Sequence, residues 1–214
     1  MTDRTLTALD RLIGQLDQAL HTVFGPAPTP GRASPATGKA DAELSAAERE
    51  LSGRLMRINH TGEICAQALY QGQAATARLP EVRGKMEQAA QEENDHLAWT
   101  EERIRELGGH TSYLNPLWYA GSFAIGALTG IIGDKWSLGF VAETEKQVVK
   151  HLENHLHRLP TEDNKSRAIL ELMRDDEGRH ATVAIESGGA ELPEPVRQAM
   201  RCSSKIMTRT AYWI

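Results

Sequence analysis

The sequence predicts an all-α protein: a four-helix bundle with an additional helix at each end. Three observations carry this reading. Ala, Leu, Glu, Gln and Arg dominate and β-branched runs are scarce, a composition that favours helix over strand. Apolar residues recur at three- and four-residue steps through several long stretches. Proline or paired glycine punctuates those stretches, at Pro80, Gly108-Gly109, Pro160 and Gly188-Gly189. The 214 residues are enough for one domain with a real core.

Taken in order, residues 1–24 read as an N-terminal amphipathic helix. Leu6, Leu9, Leu12, Ile13, Leu16, Leu20 and Phe24 recur at helical spacing from residue 5 onward. Residues 25–42, rich in Pro, Gly, Ala, Ser and Thr, read as a flexible linker. Residues 43–214 form the bundle domain. Ser45-Ala46-Ala47-Glu48 is a capping box that opens the first bundle helix, over 45–79. Its inward stripe is Met56, Asn59, Glu63, Ala66 and Tyr70.

The second bundle helix spans 81–107. The stripe Met86, Ala90, Glu93, Leu97, Thr100, Ile104, Leu107 is apolar with a charge in its middle. The register Lys85, Gln88, Glu92, Asp95, Trp99, Arg103 reads as the solvent face. No residue from Thr111 to Gly133 is charged. Four glycines dilute the run, so it reads as an apolar surface patch resting on a membrane rather than a membrane span or a buried helix. Trp118, Tyr119, Phe123 and Ile125 are its expected contacts with membrane and substrate. The Gly121, Gly126, Gly130, Gly133 series reads as close helix packing.

The third bundle helix, 135–158, holds two competing glutamates. Glu145 shares a stripe with Leu138, Val141, Val148 and Leu152 and faces inward, whereas Glu143 runs on to Lys146, Gln147 and Lys150. His151, His155 and His157 read as a polar face. The fourth, 162–187, carries Leu170, Met173, Glu177, His180 and Ala184 on one stripe. A last helix over 194–209 precedes an apolar tail, Ala211-Tyr212-Trp213-Ile214, expected to pack back or to meet a partner.

The chemistry lies in two Glu-x-x-His pairs, Glu93/His96 and Glu177/His180. Positions i and i+3 project from one helix face, so a carboxylate and an imidazole reach the same point. A buried carboxylate without a partner is very costly, and no Lys or Arg shares these stripes. A metal is the natural partner. Glu63 and Glu145 add one inward carboxylate from each remaining helix, which completes the pattern of dinuclear carboxylate bundles. Such a donor set suits iron or manganese, whereas zinc prefers fewer oxygens. Four carboxylates neutralise two divalent ions. Asp176 is the expected acceptor for the outer nitrogen of a ligating imidazole, with Arg179 holding it.

Other classes recede. The net charge is −5 and no basic cluster interleaves with aromatics, which argues against nucleic acid. Cys65 and Cys202 lie far apart and suit free thiols in a reducing compartment. The N-terminus carries no signal-peptide pattern, so a cytoplasmic chain that touches the membrane is expected.

The run Asp176-Glu177-x-Arg179-His180 is similar to the Asp-Glu-x-Arg-His signature of ferritin-like di-iron oxygenases. Arg57-Ile58-Asn59-His60-Thr61-Gly62-Glu63 resembles the Asn-His-x-Gly-Glu segment of the demethoxyubiquinone hydroxylases of ubiquinone biosynthesis, and the resemblance covers residues 50–210. It implies a ferritin-like di-iron monooxygenase that uses dioxygen to hydroxylate the ring of a polyprenyl methoxy-methyl-benzoquinol. It implies two iron ions held by Glu63, Glu93, His96, Glu145, Glu177 and His180. It implies electrons from NADH or from the quinol itself, although no dinucleotide-binding Gly-x-Gly-x-x-Gly follows a strand here. It also implies peripheral attachment to the cytoplasmic face of a bacterial inner membrane, as a homo-oligomer or within a ubiquinone-biosynthesis complex. The rival readings are a ferritin-like ferroxidase, a peroxide-consuming di-iron protein and a membrane-surface scaffold.

Overall fold

A computed structural model describes residues 7–41 and 43–214, apart from the side chains of residues 8, 11 and 12. The expected helical start at residues 5 and 6, with Leu6, lies outside the described residues, as does the Leu12 side chain. The described elements are α1 (Ala8–Phe24), α2 (Ala46–Thr76), α3 (Pro80–Glu106), α4 (Asn115–Ile132), α5 (Asp134–Arg158), α6 (Asn164–Glu186) and α7 (Glu194–Ala211). No strand occurs among the described residues. The all-α, ferritin-like bundle is therefore observed, with α2, α3, α5 and α6 as its four helices.

Local chemistry sets the helix ends. Thr7 with Asp10 and Ser45 with Glu48 form reciprocal capping boxes on α1 and α2. Asp163 accepts from the Ser166 amide at the start of α6. Pro80 stands in the first turn of α3, where its missing N–H costs nothing. At Gly133 the chain passes from α4 to α5 with φ of 144°, a value a side chain disfavours.

The four bundle helices cross the same layers. One apolar cluster contains Met56 of α2, Trp99 of α3, Leu152 of α5 and Met173 of α6. A second contains Tyr70, Met86, Val141 and Ala184 of the same four helices. Glu63, Glu93, Glu145 and Glu177 each stand between these two anchors on their own helix. Apolar packing above and below thus fixes four carboxylates at one level of the core.

Helix α4 lies across α2 at unusually short range. A Cβ placed on Gly126 would stand 2.3 Å from the Leu69 carbonyl oxygen, and one on Gly72 2.3 Å from that of Phe123. Gly126 and Gly130 therefore pack as expected. Gly121 and Gly133 do not, since nothing lies within 4 Å of the place a Cβ would take at either.

The structure corrects four further expectations. Tyr119 and Phe123 do not face outward. Tyr119 is buried, donates to Gln71 Oε1 and stacks on half-buried Phe123 at 6.4 Å between ring centres. They share the glycine face of α4, which packs on α2. The outward face carries Leu117, Leu128 and Ile131 instead, each about 60% exposed (63%, 58% and 58%). The register read as the solvent face of α3 is largely covered: Asp95, Trp99 and Arg103 are buried. What covers Asp95 and Trp99 is the segment read as a flexible linker, in which Gly31 and Arg32 bond to Asp95. Finally, His155 is buried beside Asn59 Oδ1 at 3.0 Å, and desolvation drives its pKa down to about 2, so it is a neutral core residue rather than part of a polar face.

The tail does fold back, with Arg54 of α2 stacked over Trp213 at 4.3 Å. Among the described residues no helix is long and apolar enough to cross a membrane. The close crossing predicts a contrast measurable by urea denaturation. Gly126→Val should lose about 1–3 kcal/mol by overpacking, whereas Gly121→Ala should be neutral or gain up to ~1 kcal/mol from helix propensity.

Candidate metal centre

All six inward residues expected from the sequence are buried: Glu63 on α2, Glu93 and His96 on α3, Glu145 on α5, Glu177 and His180 on α6. Both imidazoles turn Nδ1 toward the carboxylates. His96 Nδ1 lies 3.1 Å from Glu93 Oε2, 3.1 Å from Glu177 Oε1 and 3.5 Å from Glu63 Oε2. His180 Nδ1 lies 3.1 Å from Glu177 Oε2 and 3.4 Å from Glu93 Oε1. Glu93 and Glu177 therefore each reach both imidazoles, one oxygen to each. Glu63 stands on the His96 side. Glu145 is held by the Tyr70 hydroxyl, which donates to its Oε1.

This arrangement fits a pair of ions. Ligand atoms of Glu63, Glu93, His96 and Glu177 lie within 4.8 Å of one another. Glu93 Oε1 is buried with no well-aligned donor, His180 Nδ1 standing 3.4 Å away, and a cation would satisfy it. Glu145 and His180 stand outside that group of four.

Burial governs the protonation of this cluster. Desolvation, then the charge of Glu93, pushes Glu63 well above the usual carboxylate range. Desolvation and the charges of Glu177 and Glu93 do the same to Glu145. Desolvation opposes charge on His180, but bonds to Glu177 and Glu93 outweigh it and raise its pKa to about 12. His96 is raised by its carboxylate neighbours for the same reason. In the metal-free protein, protons thus stand where cations fit.

The outer nitrogens are also held. His96 Nε2 lies 3.0 Å from Asp176 Oδ2, and Arg179 donates to Asp176 Oδ1 at 2.7 Å. Asp176 and Arg179 thus stand as expected. His180 Nε2 lies 2.7 Å from Glu92 Oε2, which Arg179 also reaches at 3.2 Å. The role of Glu92 was not anticipated from sequence, yet a signal exists. Glu92-Glu93-x-x-His96 repeats the acid-Glu-x-x-His order of Asp176-Glu177-x-x-His180, and each leading acid serves the histidine of the other helix. Tyr70 lay on the inward stripe, but nothing local marks its bond to Glu145.

A cavity of about 390 Å³ reaches this cluster. Glu63, Glu145 and Glu177 line it, together with apolar side chains of α2, α5 and α7. Trp118 and Ile125 line it from α4, so these two of the four expected access residues do face the site's cavity. Among its lining residues, Asn59 Nδ2, Trp118 Nε1, Thr144 Oγ1 and His151 Nε2 are buried without hydrogen-bond partners.

Metal uptake should release protons, because Glu63, Glu145 and both imidazoles, whose pKa values are raised here, must surrender theirs to bind. Titrating the protein with ferrous or manganous ion under anaerobic conditions should acidify a weakly buffered solution. Affinity should rise with pH, since His180 and His96 bind protons more tightly in this fold than free imidazole does. Affinity independent of pH, with no proton release, would contradict the assignment.

Sequence comparison bears on the same region. A model for the ubiquinone biosynthesis protein COQ7 family matches residues 50–211. A Nitrosococcus oceani protein named 3-demethoxyubiquinol 3-hydroxylase is 64% identical over 214 residues, the whole of both chains. Proteins of the same name from Alcanivorax borkumensis and Nitrosomonas eutropha are each 57% identical, over 100% and 96% of this chain and 100% and 99% of their own. The helical bundle, the paired acid-Glu-x-x-His helices and these full-length relatives agree: the chain belongs to the ubiquinone biosynthesis protein COQ7 family.

Proposed function

We propose that the protein is a 3-demethoxyubiquinol 3-hydroxylase whose six inward residues hold two iron ions. The observation that carries this reading is the cavity: apolar along most of its wall, ending on Glu63, Glu145 and Glu177, and lined by polar atoms that lack partners. A ferroxidase needs a path for hydrated ions, and this wall offers mostly hydrocarbon. A benzoquinol ring with an isoprenoid tail matches it, since pockets for such ligands are largely apolar with a few polar groups that fix orientation.

Iron in this site supplies the activation of dioxygen needed to place a hydroxyl on the ring. The protein's own groups do the rest. Leu152, Ala66 and Met200 give the cavity apolar wall. Asn59 Nδ2 and Trp118 Nε1 offer donors to ring oxygens, and Thr144 and His151 offer a hydroxyl and an imidazole. His151 faces this cavity half-buried, and desolvation holds its pKa near 4, so it is a neutral partner at physiological pH. The hydroxylation consumes two electrons per turnover. We assign them to NADH or to the quinol itself; the sequence carries no dinucleotide-binding loop of its own.

The exposed apolar side chains support peripheral attachment to a lipid surface, which we assign to the cytoplasmic face of the inner membrane. Leu16, Leu20 and Phe24 of α1 and Leu128, Ile131 and Ile132 of α4 are all exposed, on two helices that touch one another. Such a face would rest on lipid while the cavity takes the quinol. Assembly as a homo-oligomer or within a biosynthetic complex would use the remaining surface.

Turnover of demethoxyubiquinol in iron-loaded protein tests the reading. Glu177→Ala should fall below about 1% of the parent rate, as loss of a metal-holding carboxylate requires. Ala199→Trp should block turnover by about tenfold or more while leaving the iron in place, because it fills the cavity and not the site. Unchanged turnover in the filled variant would place the substrate elsewhere. Leu128→Glu with Ile131→Glu should release the protein from phospholipid vesicles in a flotation assay, whereas Tyr119→Phe should not.

A further inference from the structure

The segment 25–41 precedes the region that the family match covers, yet it touches the site's outer layer. Arg32 Nε lies 2.6 Å from Asp95 Oδ2, and an Arg32 terminal nitrogen lies 2.8 Å from Asp176 Oδ2. The Gly31 amide donates to Asp95 Oδ1 at 2.6 Å. The guanidinium also stands 5.0 Å from the centre of the Trp99 ring, which itself packs against His96 at 5.6 Å. A second anchor follows at Asp41, which pairs with Arg103 and Lys165 at 3.3 and 3.0 Å.

The same oxygen of Asp176 that meets Arg32 also meets His96 Nε2. Asp176 is thus met from three directions: His96 on Oδ2, Arg179 donating to Oδ1, and Arg32 on Oδ2 through a charge pair that is not aligned as a hydrogen bond. Among the described residues the other histidine has no such cover. Its acceptor, Glu92, is approached by Arg179 and lies at a small pocket of about 80 Å³ lined by Glu92, Arg179 and His180. The bundle's two halves are alike in ligands and unlike in what lies behind them.

We propose that Arg32 is a positioning residue: the 25–41 segment is a strap that holds Asp176 against His96 and so makes the ion on the His96 side the more firmly held of the two. The physical reason is orientation. An acceptor pinned by two guanidinium groups cannot swing away from the imidazole, so Nδ1 keeps its aim and its basicity toward the ion. A planar guanidinium bridges Asp95 and Asp176 at once, which an ammonium cannot do. The proposal rests on the two-ion reading given above.

The test is the release of iron to a ferrous chelator, followed in the full-length protein loaded anaerobically. Wild type should hold two irons per chain. Arg32→Ala should release one of them roughly tenfold faster, in line with the effect of removing an outer partner of a metal ligand, and leave the other unchanged. Arg32→Lys should recover only part of the loss. Asp95→Asn, which weakens the strap from the α3 side, should speed the same single iron, and thermal unfolding of the metal-free variants should match wild type. Unchanged release in both Arg32→Ala and Asp95→Asn, or equal acceleration of both irons, would overturn the strap while leaving the two-ion site standing. Wild type that holds no iron would overturn the site itself and the strap with it.

Discussion

Four carboxylates sit at one level of a hydrocarbon core, and the rest of the structure follows from what that requires. Each would cost several kcal/mol to bury unpaired, even after relaxation. The chain meets the cost by bringing two imidazoles and a tyrosine hydroxyl against them, and protonation neutralises what remains. That solution does not satisfy every oxygen, as Glu93 Oε1 indicates. Two divalent cations would balance the charge of the four carboxylates. The apolar clusters on either side, through Met56 and Met173 below and Tyr70 and Val141 above, exist at the right heights to hold that level.

The outer layer makes this inner one directional. Each imidazole could offer either nitrogen. Asp176 and Glu92 engage Nε2 and leave Nδ1 for the centre, and Arg179 touches both acids at once. One arginine therefore couples the two acceptors that orient both histidines. The cavity meets the centre from the side of Glu63 and Glu145, away from these acids, so substrate and orienting charges need not compete for space.

Much of this was legible in the sequence, because the relevant signals are local. A carboxylate in the middle of an apolar stripe is visible from spacing alone, and that is how Glu63, Glu93, Glu145 and Glu177 were found. The misreadings share a different cause. The face of α3 bearing Asp95 and Trp99 looks solvated until residues some 64 positions earlier lie over it, and a Pro- and Gly-rich composition gives no hint of that. On α4 an uncharged run has no polar side to mark the outside. There the glycines held the information: Gly126 and Gly130 mark the close approach to α2, and Tyr119 and Phe123 share their face by helical spacing. Glycine placement on such a helix is thus a better guide to its buried side than aromatic placement.

The most direct test of the central claim is anomalous diffraction at the iron edge from crystals of the reconstituted protein. The account predicts two peaks, about 3.5–4 Å apart as in other dinuclear sites, lying between Glu93 and Glu177 and each beside one histidine Nδ1. A single peak, or peaks away from these carboxylates, would contradict it.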